Sequence, residues 1–258
     1  IKEAKTDTGM NLCLEGKAVY PQSVDQEVPD IYGDKVVWMQ QGNDYYYKIF
    51  LGNLGTGQSR QIGKSTAAEK YPAIWENKVI WMDYRSIMDD PAVQNKYAYI
   101  FKYYDMYGYD LEKDQEFPIC TNTEWQGYGD IYKDHVVYAD LRTGSPDIIL
   151  YDLNTRKEYA ICLNPAWQGN PVTSGQYVIW MDQRSGNYDI YGFDLTTGRE
   201  FPICTAPDNQ AYPVIYGTKV VWQDMRNGND DIYLYDLATH QETAICTAEG
   251  KQQVPDIY

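Results

Sequence analysis

The sequence predicts an all-β protein, a β-propeller of four-stranded blades, and its internal repeats support this fold class. Four cysteines follow one another at intervals of 42 residues: Cys120, Cys162, Cys204 and Cys246. Trp180 and Trp222 are separated by the same interval, and Tyr138 takes the equivalent place one repeat earlier. A period of about 40–45 residues that is rich in short strands is typical of propeller blades.

The most regular copy of the repeat shows the four strands of one blade. The predicted strands are Pro213–Tyr216 (A), Lys219–Asp224 (B), Asp231–Leu237 (C) and Glu242–Cys246 (D). Turn-forming residues separate them, and strand C alternates β-branched and aromatic residues. Strand B is apolar on both faces, as expected where each face of a blade packs against a neighbouring blade.

Five copies of the repeat predict five blades. The apolar centre of strand B recurs at Val36–Trp38, Val79–Trp81, Val136–Tyr138, Val178–Trp180 and Val220–Trp222. Thr8–Cys13 resembles a strand D, and Val254–Tyr258 resembles a strand A. We therefore expect one domain over residues 1–258, with the terminal fragments 1–20 and 248–258 closing the ring.

Two alternatives to this blade count remain open. Leu12–Leu14 and Lys17–Tyr20 would form a hairpin in a reduced sixth blade, which makes six blades the alternative. The chain would otherwise be cut from a longer array of repeats.

The acidic composition restricts the classes of partner. The chain has 37 acidic and 22 basic residues, a formal net charge of −15. A phosphate backbone or an anionic membrane surface would be repelled, so we expect no nucleic-acid partner. We also expect no direct membrane insertion, because the sequence has no run of eighteen apolar residues.

The repeated cysteines are expected to be buried free thiols. Equivalent positions in different blades should lie farther apart than a disulfide tolerates, roughly 7 Å between Cα atoms. No CxxC pair or Cys/His cluster that would indicate a zinc site is present.

The repeat also carries a family resemblance. The phrase Val220–Leu237, VVWQDMRNGNDDIYLYDL, resembles the repeats of TolB-like propellers, in the style found in archaeal and bacterial cell-surface proteins. The resemblance covers about residues 28–258 and implies an extracytoplasmic binding or scaffolding module, at a cell surface or in a periplasm-like space. Blade 1 departs from it, because Gln40 and Gln41 stand at the Asp position and its neighbour.

Repeated acidic residues allow two interpretations. An Asp and an Arg follow strand B in four blades, and another Asp opens strand C. One interpretation is calcium binding, for which the candidates are Asp182, Asp189, Asp224 and Asp231. The other is structural, with each Asp accepting hydrogen bonds from loop amides and the Arg bridging to a carboxylate. We expect no cofactor, with calcium as the possible exception.

The loops between strand D and the next strand A supply the main candidate binding residues. Strand A is expected to be innermost, which places these loops and the loops between strands B and C on one face. Aromatic rings beside amide groups provide a stacking surface with hydrogen-bonding groups, as a sugar or peptide site requires. The candidates are Trp125, Trp167, Gln126, Gln168, Gln210, Tyr71, Tyr128 and Tyr212. The alternative is that the tryptophans cover the seams between blades.

One large insertion breaks the repeat. The loop between strands B and C of blade 2 is enlarged by 15 residues relative to blade 5, at about residues 86–104. It is rich in tyrosine, and Tyr97 and Tyr99 are further candidate contacts. The alternating pattern predicts an extended hairpin arm, either raised above the face or folded down on its own blade.

These features favour a non-enzymatic binding or scaffold module that recognises a protein or a glycan through the aromatic loop face. A carbohydrate-active enzyme, a glycoside hydrolase or lyase using carboxylates at the channel mouth, is the alternative, and a structural spacer is the third possibility. Fold alone does not choose between them. An enzyme should show at least two convergent carboxylates outside the repeat pattern, one of them with a raised pKa.

Overall fold

The computed structural model describes residues 3–5, 11–13, 24–86 and 104–257. Its strands form a two-stranded hairpin and five four-stranded antiparallel sheets. The predicted all-β propeller with five blades is therefore confirmed. In the part of the chain that is described, no helix is long and apolar enough to cross a bilayer.

Each sheet is one blade, with its strands A to D in chain order. The hairpin consists of β1 (Glu3–Lys5) and β2 (Asn11–Cys13). Blade 1 contains β3 (Gln26–Tyr32), β4 (Lys35–Gln41), β5 (Tyr47–Asn53) and β6 (Gln58–Gln61). Blade 2 contains β7 (Glu69–Trp75), β8 (Lys78–Asp83), β9 (Asp105–Asp110) and β10 (Gln115–Cys120). Blade 3 contains β11 (Gln126–Tyr132), β12 (His135–Asp140), β13 (Asp147–Asp152) and β14 (Lys157–Cys162). Blade 4 contains β15 (Gln168–Thr173), β16 (Tyr177–Asp182), β17 (Asp189–Asp194) and β18 (Arg199–Cys204). Blade 5 contains β19 (Gln210–Tyr216), β20 (Lys219–Asp224), β21 (Asp231–Asp236) and β22 (Gln241–Cys246).

Strand A starts earlier than the sequence predicts, because it contains a bulge. In blade 5 the strand begins at Gln210 instead of Pro213, and its register against strand B shifts between Ala211 and Val214. The residue inside the bulge, Tyr212, has a positive φ of 53°. A bulge leaves residues outside the ladder and redirects the side chain, so a search for strict alternation misses this part of the strand.

The hydrophobic core lies between the blades. The strand B aromatics Trp81, Tyr138, Trp180 and Trp222 are fully buried. One cluster joins Ile179 and Met181 of blade 4 to Val220 and Trp222 of blade 5. Strand A of a blade packs against strands A, B and C of the preceding blade, which makes strand A the innermost strand.

A polar contact also joins consecutive blades. Arg184 donates to the Sγ of Cys162 in the preceding blade at 3.3 Å, and Arg226 donates to Cys204 at 2.8 Å. Cys120, Cys162 and Cys204 are buried free thiols, as predicted, and burial raises the pKa of each to about 12. Cys246 was predicted to be buried as well; it is a free thiol, but it is only partly buried. We call this arrangement, the Arg after strand B on the Cys of the preceding strand D, the Arg–Cys contact.

The ends of the domain are only partly described. Of residues 1–20, the description covers only the backbone of the hairpin β1–β2. That the terminal fragments close the ring therefore stays a prediction.

Candidate functional site

Three tyrosines stand exposed at equivalent places around the centre of the propeller. Tyr71, Tyr128 and Tyr212 occupy the third position of strand A in blades 2, 3 and 5, with exposed fractions of 40%, 38% and 48%. The rings of Tyr71 and Tyr128 lie 5.9 Å apart. We call these residues the mouth tyrosines, because each stands near the start of an innermost strand.

The strand A bulge orients the mouth tyrosines. Each has φ of 53°, a left-handed conformation that is unusual for a bulky residue and costs on the order of 1 kcal/mol. The amides of Tyr128 and Tyr212 donate to the sulfur atoms of Met82 and Met181, strand B residues of earlier blades, at 3.4 Å. These hydrogen bonds and the packing below hold the strained backbone.

Further aromatic rings pack near Tyr128, at and below the surface. Trp125 meets Tyr128 edge-on with ring centroids 5.4 Å apart, and Tyr84 and Tyr104 pack at 5.0 Å. Burial raises the pKa of Tyr84 and of Tyr104 to about 12, and it also raises the pKa of Tyr128. These phenols therefore stay neutral at ordinary pH. Tyr84 and Tyr104 are buried and support the surface from below, whereas Tyr128 is exposed and offers stacking and hydrogen bonding without charge.

The two predicted tryptophans are half-buried. A Cβ atom on Gly169 would lie 2.5 Å from the Cζ2 of Trp167, and one on Gly127 would lie 2.7 Å from the Cζ2 of Trp125. Each indole thus lies directly over the glycine two residues later, and it packs on the core between blades. Both tryptophans thus pack at the contact between neighbouring blades, and Trp125 also contacts the mouth tyrosine Tyr128.

The predicted glutamines lie beneath the surface. Gln126, Gln168 and Gln210 are fully buried, and each Nε2 donates to carbonyl groups of its own loop. Their Oε1 atoms have no hydrogen-bond partner within the described residues. They hold the loops between strands D and A, and a ligand on the surface would not touch them.

Blade 2 replaces this glutamine with a charged arrangement that the sequence reasoning missed. Glu69 takes the glutamine position, and its carboxylate accepts from the amides of Ile49 and Ser65 at 2.9 Å. Lys48 donates to the carbonyls of Ser65 and Ala67, which match the loop carbonyls that Gln168 engages in blade 4. Burial, opposed by the two amides, raises the pKa of Glu69 to about 7.

Two carboxylates near the centre were also missed. Asp130 accepts from the amides of Ile131 and Thr173, and so links blades 3 and 4. Asp30 makes the same bridge to Ile74 of blade 2. Burial raises the pKa of both carboxyls, that of Asp130 to about 7. Charge repulsion adds to this effect, from Asp256 on Asp30 and from Asp30 on Asp130. The signal in the sequence was the break in the repeat, because Ala73, Val172 and Val214 occupy the same position.

The calcium candidates are engaged by nitrogen donors. Asp182 accepts from the indole of Trp180 and from the main chain and guanidinium of Arg184, and Asp224 repeats this pattern. Asp189 accepts from Asn187, and Asp231 accepts from Asn227 and Asn229. Over the described ranges, no three His, Cys, Asp or Glu side chains are grouped so as to hold a metal ion.

Tyr97 and Tyr99 lie outside the described residues, as does most of the predicted 86–104 arm. The residues that flank the gap are informative. Ser86 donates to Asp105, and Tyr104 packs on Tyr84. The insertion therefore leaves and rejoins the blade beside the aromatic surface.

A groove of about 810 Å³ lies elsewhere, between β10 and the turn after β13. Phe117, Ile119 and Tyr151 contribute apolar surface, and Lys113 and Arg156 are among its charged residues. It contains none of the predicted binding residues, so we place the candidate site at the mouth tyrosines, where strained backbone and exposed aromatics coincide.

Comparisons with known proteins identify the fold. No family model matches the chain, and no curated protein matches it. A solved structure of TolB from Acinetobacter baumannii aligns with a TM-score of 0.65 at 15% identity, over 92% of this chain and 58% of that one. A putative TolB from Agrobacterium tumefaciens gives 0.65 at 13% identity, over 88% of this chain and 83% of that one. An oligogalacturonate lyase in complex with manganese gives 0.61 at 14% identity, over 84% of this chain and 62% of that one.

These likenesses show a TolB-like propeller fold and nothing finer. At such identities the shared feature is the arrangement of blades, and the similar structures include both TolB proteins and an enzyme. The function must therefore be argued from the site of this chain.

Proposed function

We propose that the protein is a non-enzymatic binding or scaffold module that recognises a protein or a glycan through its aromatic loop face. The observation that carries the proposal is the set of exposed mouth tyrosines on strained, equivalent backbone positions. Strain of this kind persists only where the surroundings enforce it, and it is frequent at ligand sites. Exposed tyrosines supply large, rigid contact area with few rotatable bonds.

We place this module outside the cytoplasm, at a cell surface or in a periplasm-like space. The support is the resemblance of the repeat to those of cell-surface propellers, together with the TolB-like fold. Calcium has no part in the proposed contact, because the candidate carboxylates are engaged by Trp, Arg and Asn donors.

The test is the triple variant Tyr71→Asn, Tyr128→Asn and Tyr212→Asn. Asparagine occupies the same position in blade 4, where Asn170 has φ of 50°, so the backbone conformation is retained. Glycan and peptide arrays, run with and without calcium, would identify a ligand for the wild type. We expect each lost tyrosine to weaken binding about tenfold, or about 1.4 kcal/mol.

The matched control is Tyr159→Asn, which removes an exposed tyrosine from the outer strand D of blade 3. It should leave binding unchanged, and the melting temperatures of all variants should stay close to that of the wild type. Binding that persists undiminished in the triple variant would remove the mouth tyrosines from the site.

A carbohydrate-active enzyme remains the second candidate because of Asp30 and Asp130. They are half-buried carboxyls near the centre, outside the repeat pattern, with raised pKa values. Incubation with plant and microbial polysaccharides, followed by a reducing-end assay and an assay for unsaturated products, tests this alternative. Turnover abolished by Asp130→Asn would establish it; binding without turnover favours the module.

A further inference from the structure

The groove of about 810 Å³ between blades 2 and 3 contains two neighbouring hydrogen-bond donors. One is the hydroxyl of Tyr151, at the fifth position of β13, and the other is the guanidinium of Arg156, in the turn that follows. The two groups are close, because the charge of Arg156 opposes the rise that burial causes in the pKa of Tyr151. Over the described ranges, no side chain or backbone carbonyl accepts a hydrogen bond from either group.

The same two positions are matched to each other in the other blades. In blade 2 the hydroxyl of Tyr109 donates to Asp114 at 2.6 Å. In blade 5 the hydroxyl of Tyr235 lies 3.3 Å from the Nδ1 of His240. The other two blades carry no polar side chain at either position: they have Gly52 with Gly57, and Phe193 with Gly198. Blade 3 therefore differs from the rest in combining a hydroxyl with a cation.

The turn directs Arg156 across the groove. Its φ of 56° is close to the 49° of Asp114, the equivalent residue of blade 2. Asp114 reaches strand D of the preceding blade, where it pairs with Arg60 at 2.8 Å. Opposite Arg156, the third position of strand D holds Phe117 in place of Arg60. The arrangement that gives an ion pair between blades 1 and 2 thus leaves Arg156 facing an apolar ring.

The acidic residues of the groove do not supply the missing acceptor, because basic residues already pair with them. The charge of Asp110 is shared by two ammonium groups, at 3.2 Å and 2.9 Å. The pairs are Asp110 with Lys78 and Lys113, Glu116 with Arg85, and Glu158 with Arg142. A molecule that satisfies both free donors must therefore bring its own anionic acceptor.

We propose that this groove binds an amphipathic monocarboxylate, a small molecule with one carboxylate and an apolar body. The carboxylate accepts from the guanidinium of Arg156 and from the hydroxyl of Tyr151, and the body lies along Phe117, Ile119 and Leu153. A guanidinium presents parallel N–H groups that match a carboxylate. A concave, largely apolar site with a few polar groups is typical of small-molecule binding. The site is separate from the mouth tyrosines and does not depend on the function proposed for them.

The probe is 2-naphthylacetate, and its neutral counterpart 2-naphthylacetamide is the matched control ligand. Titration of the full chain at pH 7, followed by the fluorescence of the naphthyl group, should show saturable binding of the acid with Kd of about 1 mM or below. The amide should bind at least about tenfold more weakly, because it lacks the charge that strengthens the hydrogen bonds to Arg156.

Two single variants remove the donors without disturbing the fold. Arg156→Gly and Tyr151→Phe install the residues of blade 4, where Gly198 has φ of 67° and Phe193 keeps the ring. Arg156→Gly should weaken binding of the acid about tenfold and Tyr151→Phe by roughly threefold to tenfold. Their melting temperatures should stay close to that of the wild type. Lys157→Gln, which removes an exposed neighbouring charge outside the groove, is the control and should bind as the wild type does.

The charge-reversing variant Arg156→Asp recreates the tyrosine and aspartate of blade 2. It should reject 2-naphthylacetate and bind the cation 2-naphthylmethylammonium instead, because the aspartate at this place in blade 2 pairs with a cation across the cleft. Equal binding of the two ligands by the wild type and by this variant would contradict the role given to Arg156.

Amide chemical shifts locate the ligand. Addition of 2-naphthylacetate should move the signals of Phe117, Ile119 and Leu153 and leave that of Tyr128 in place. Three outcomes would overturn the proposal: no saturation at about 10 mM ligand, undiminished binding in Arg156→Gly, or shifts concentrated at the mouth tyrosines. The last result would assign the ligand to the aromatic loop face.

Discussion

Glu69 and Lys48 show how one junction between blades was rebuilt with charge. In blade 4 the side-chain amide of Gln168 donates to the two carbonyls of the loop before strand A. In blade 2 the ammonium of Lys48 donates to the two equivalent carbonyls. The carboxylate of Glu69 then accepts two amides instead, and it lies so close to Gly63 that a Cβ atom there would collide with it. Replacing the glutamine with this charged arrangement therefore requires at least three positions to change together: Lys48, Gly63 and Glu69.

Glu69 should make stability depend on pH. Its pKa in the folded protein is about 7, above the usual value of 4.5, so its stabilising contribution is complete below about pH 4.5 and is lost as pH rises through 7. Urea unfolding at pH 5 and pH 8 should show a loss on the order of 2–3 kcal/mol from this group. Asp105 and Asp130, with pKa values of about 6 and 7, act in the same direction.

The variant Glu69→Gln isolates this effect. It has no ionisable group at the position, so its loss of stability between pH 5 and pH 8 should be smaller than that of the wild type. Parallel losses in the two proteins would show that Glu69 does not titrate in this window. Glu112→Gln, on the exposed turn after β9, is the matched control and should follow the wild type.

The loop that joins strand D to strand A is an element in which two residues must be chosen together. Trp167 covers Gly169 and Trp125 covers Gly127, whereas blade 5 has Asn209 and Ala211 at these places. The large indole excludes a methyl group two residues later. This pairing explains why Trp-Gln-Gly recurs as a unit and why the tryptophan is absent where alanine follows.

Gly169→Ala should therefore destabilise the protein by about 1–3 kcal/mol, because its Cβ would collide with the indole. Adding Trp167→Asn, which recreates the blade 5 pair, should recover part of this loss relative to the sum of the single variants. Thermal unfolding of the four proteins of this cycle measures the coupling. Strict additivity would mean that the ring moves aside at no cost.

The loop after strand B is held by a buried ion pair. Arg184 contacts Asp182 at 2.6 Å, lies 4.1 Å over the ring of Tyr191 and also reaches Glu200. Arg184→Ala leaves the fully buried Asp182 without its counterion and should cost roughly 3–5 kcal/mol.

The control for Arg184 is Arg60→Ala, because Arg60 pairs with Asp114 where both side chains are largely exposed. An exposed pair is worth at most about 1 kcal/mol. Chemical denaturation measures the free energy of unfolding of both variants. Similar losses of stability in Arg184→Ala and Arg60→Ala would contradict the structural role given to Arg184.

At the scale of the whole molecule, the features that could be predicted from the sequence are those that recur in successive repeats. The blades, the buried strand B aromatics and the free thiols all follow from regular spacing, because each position meets the same surroundings in successive blades. Single-blade features were not predicted. Spacing does not show whether an amide such as Gln126 faces a ligand or its own loop, and a lone carboxylate such as Asp130 looks like variation.

The candidate site was predicted in part. Tyr71, Tyr128 and Tyr212 were named as candidates from the sequence, but they were assigned to loops, whereas they lie in strand A. Their exposure depends on a bulge in that strand, which a search for alternating residues does not reveal. Lys48 went unnoticed because its partners lie 17 to 21 residues away, in the next blade. Such a long-range replacement becomes visible only when the strands are placed side by side.

The bulge in strand A has a consequence for how this protein could diversify. Valine, tyrosine and asparagine all occupy the same left-handed backbone position, with φ between 50° and 53° at Val28, Tyr71, Tyr128, Asn170 and Tyr212. The scaffold accepts unlike side chains there without altering its course. Exchanging residues at these interchangeable slots, singly or in combination, would generate a repertoire of specificities on one unchanged framework.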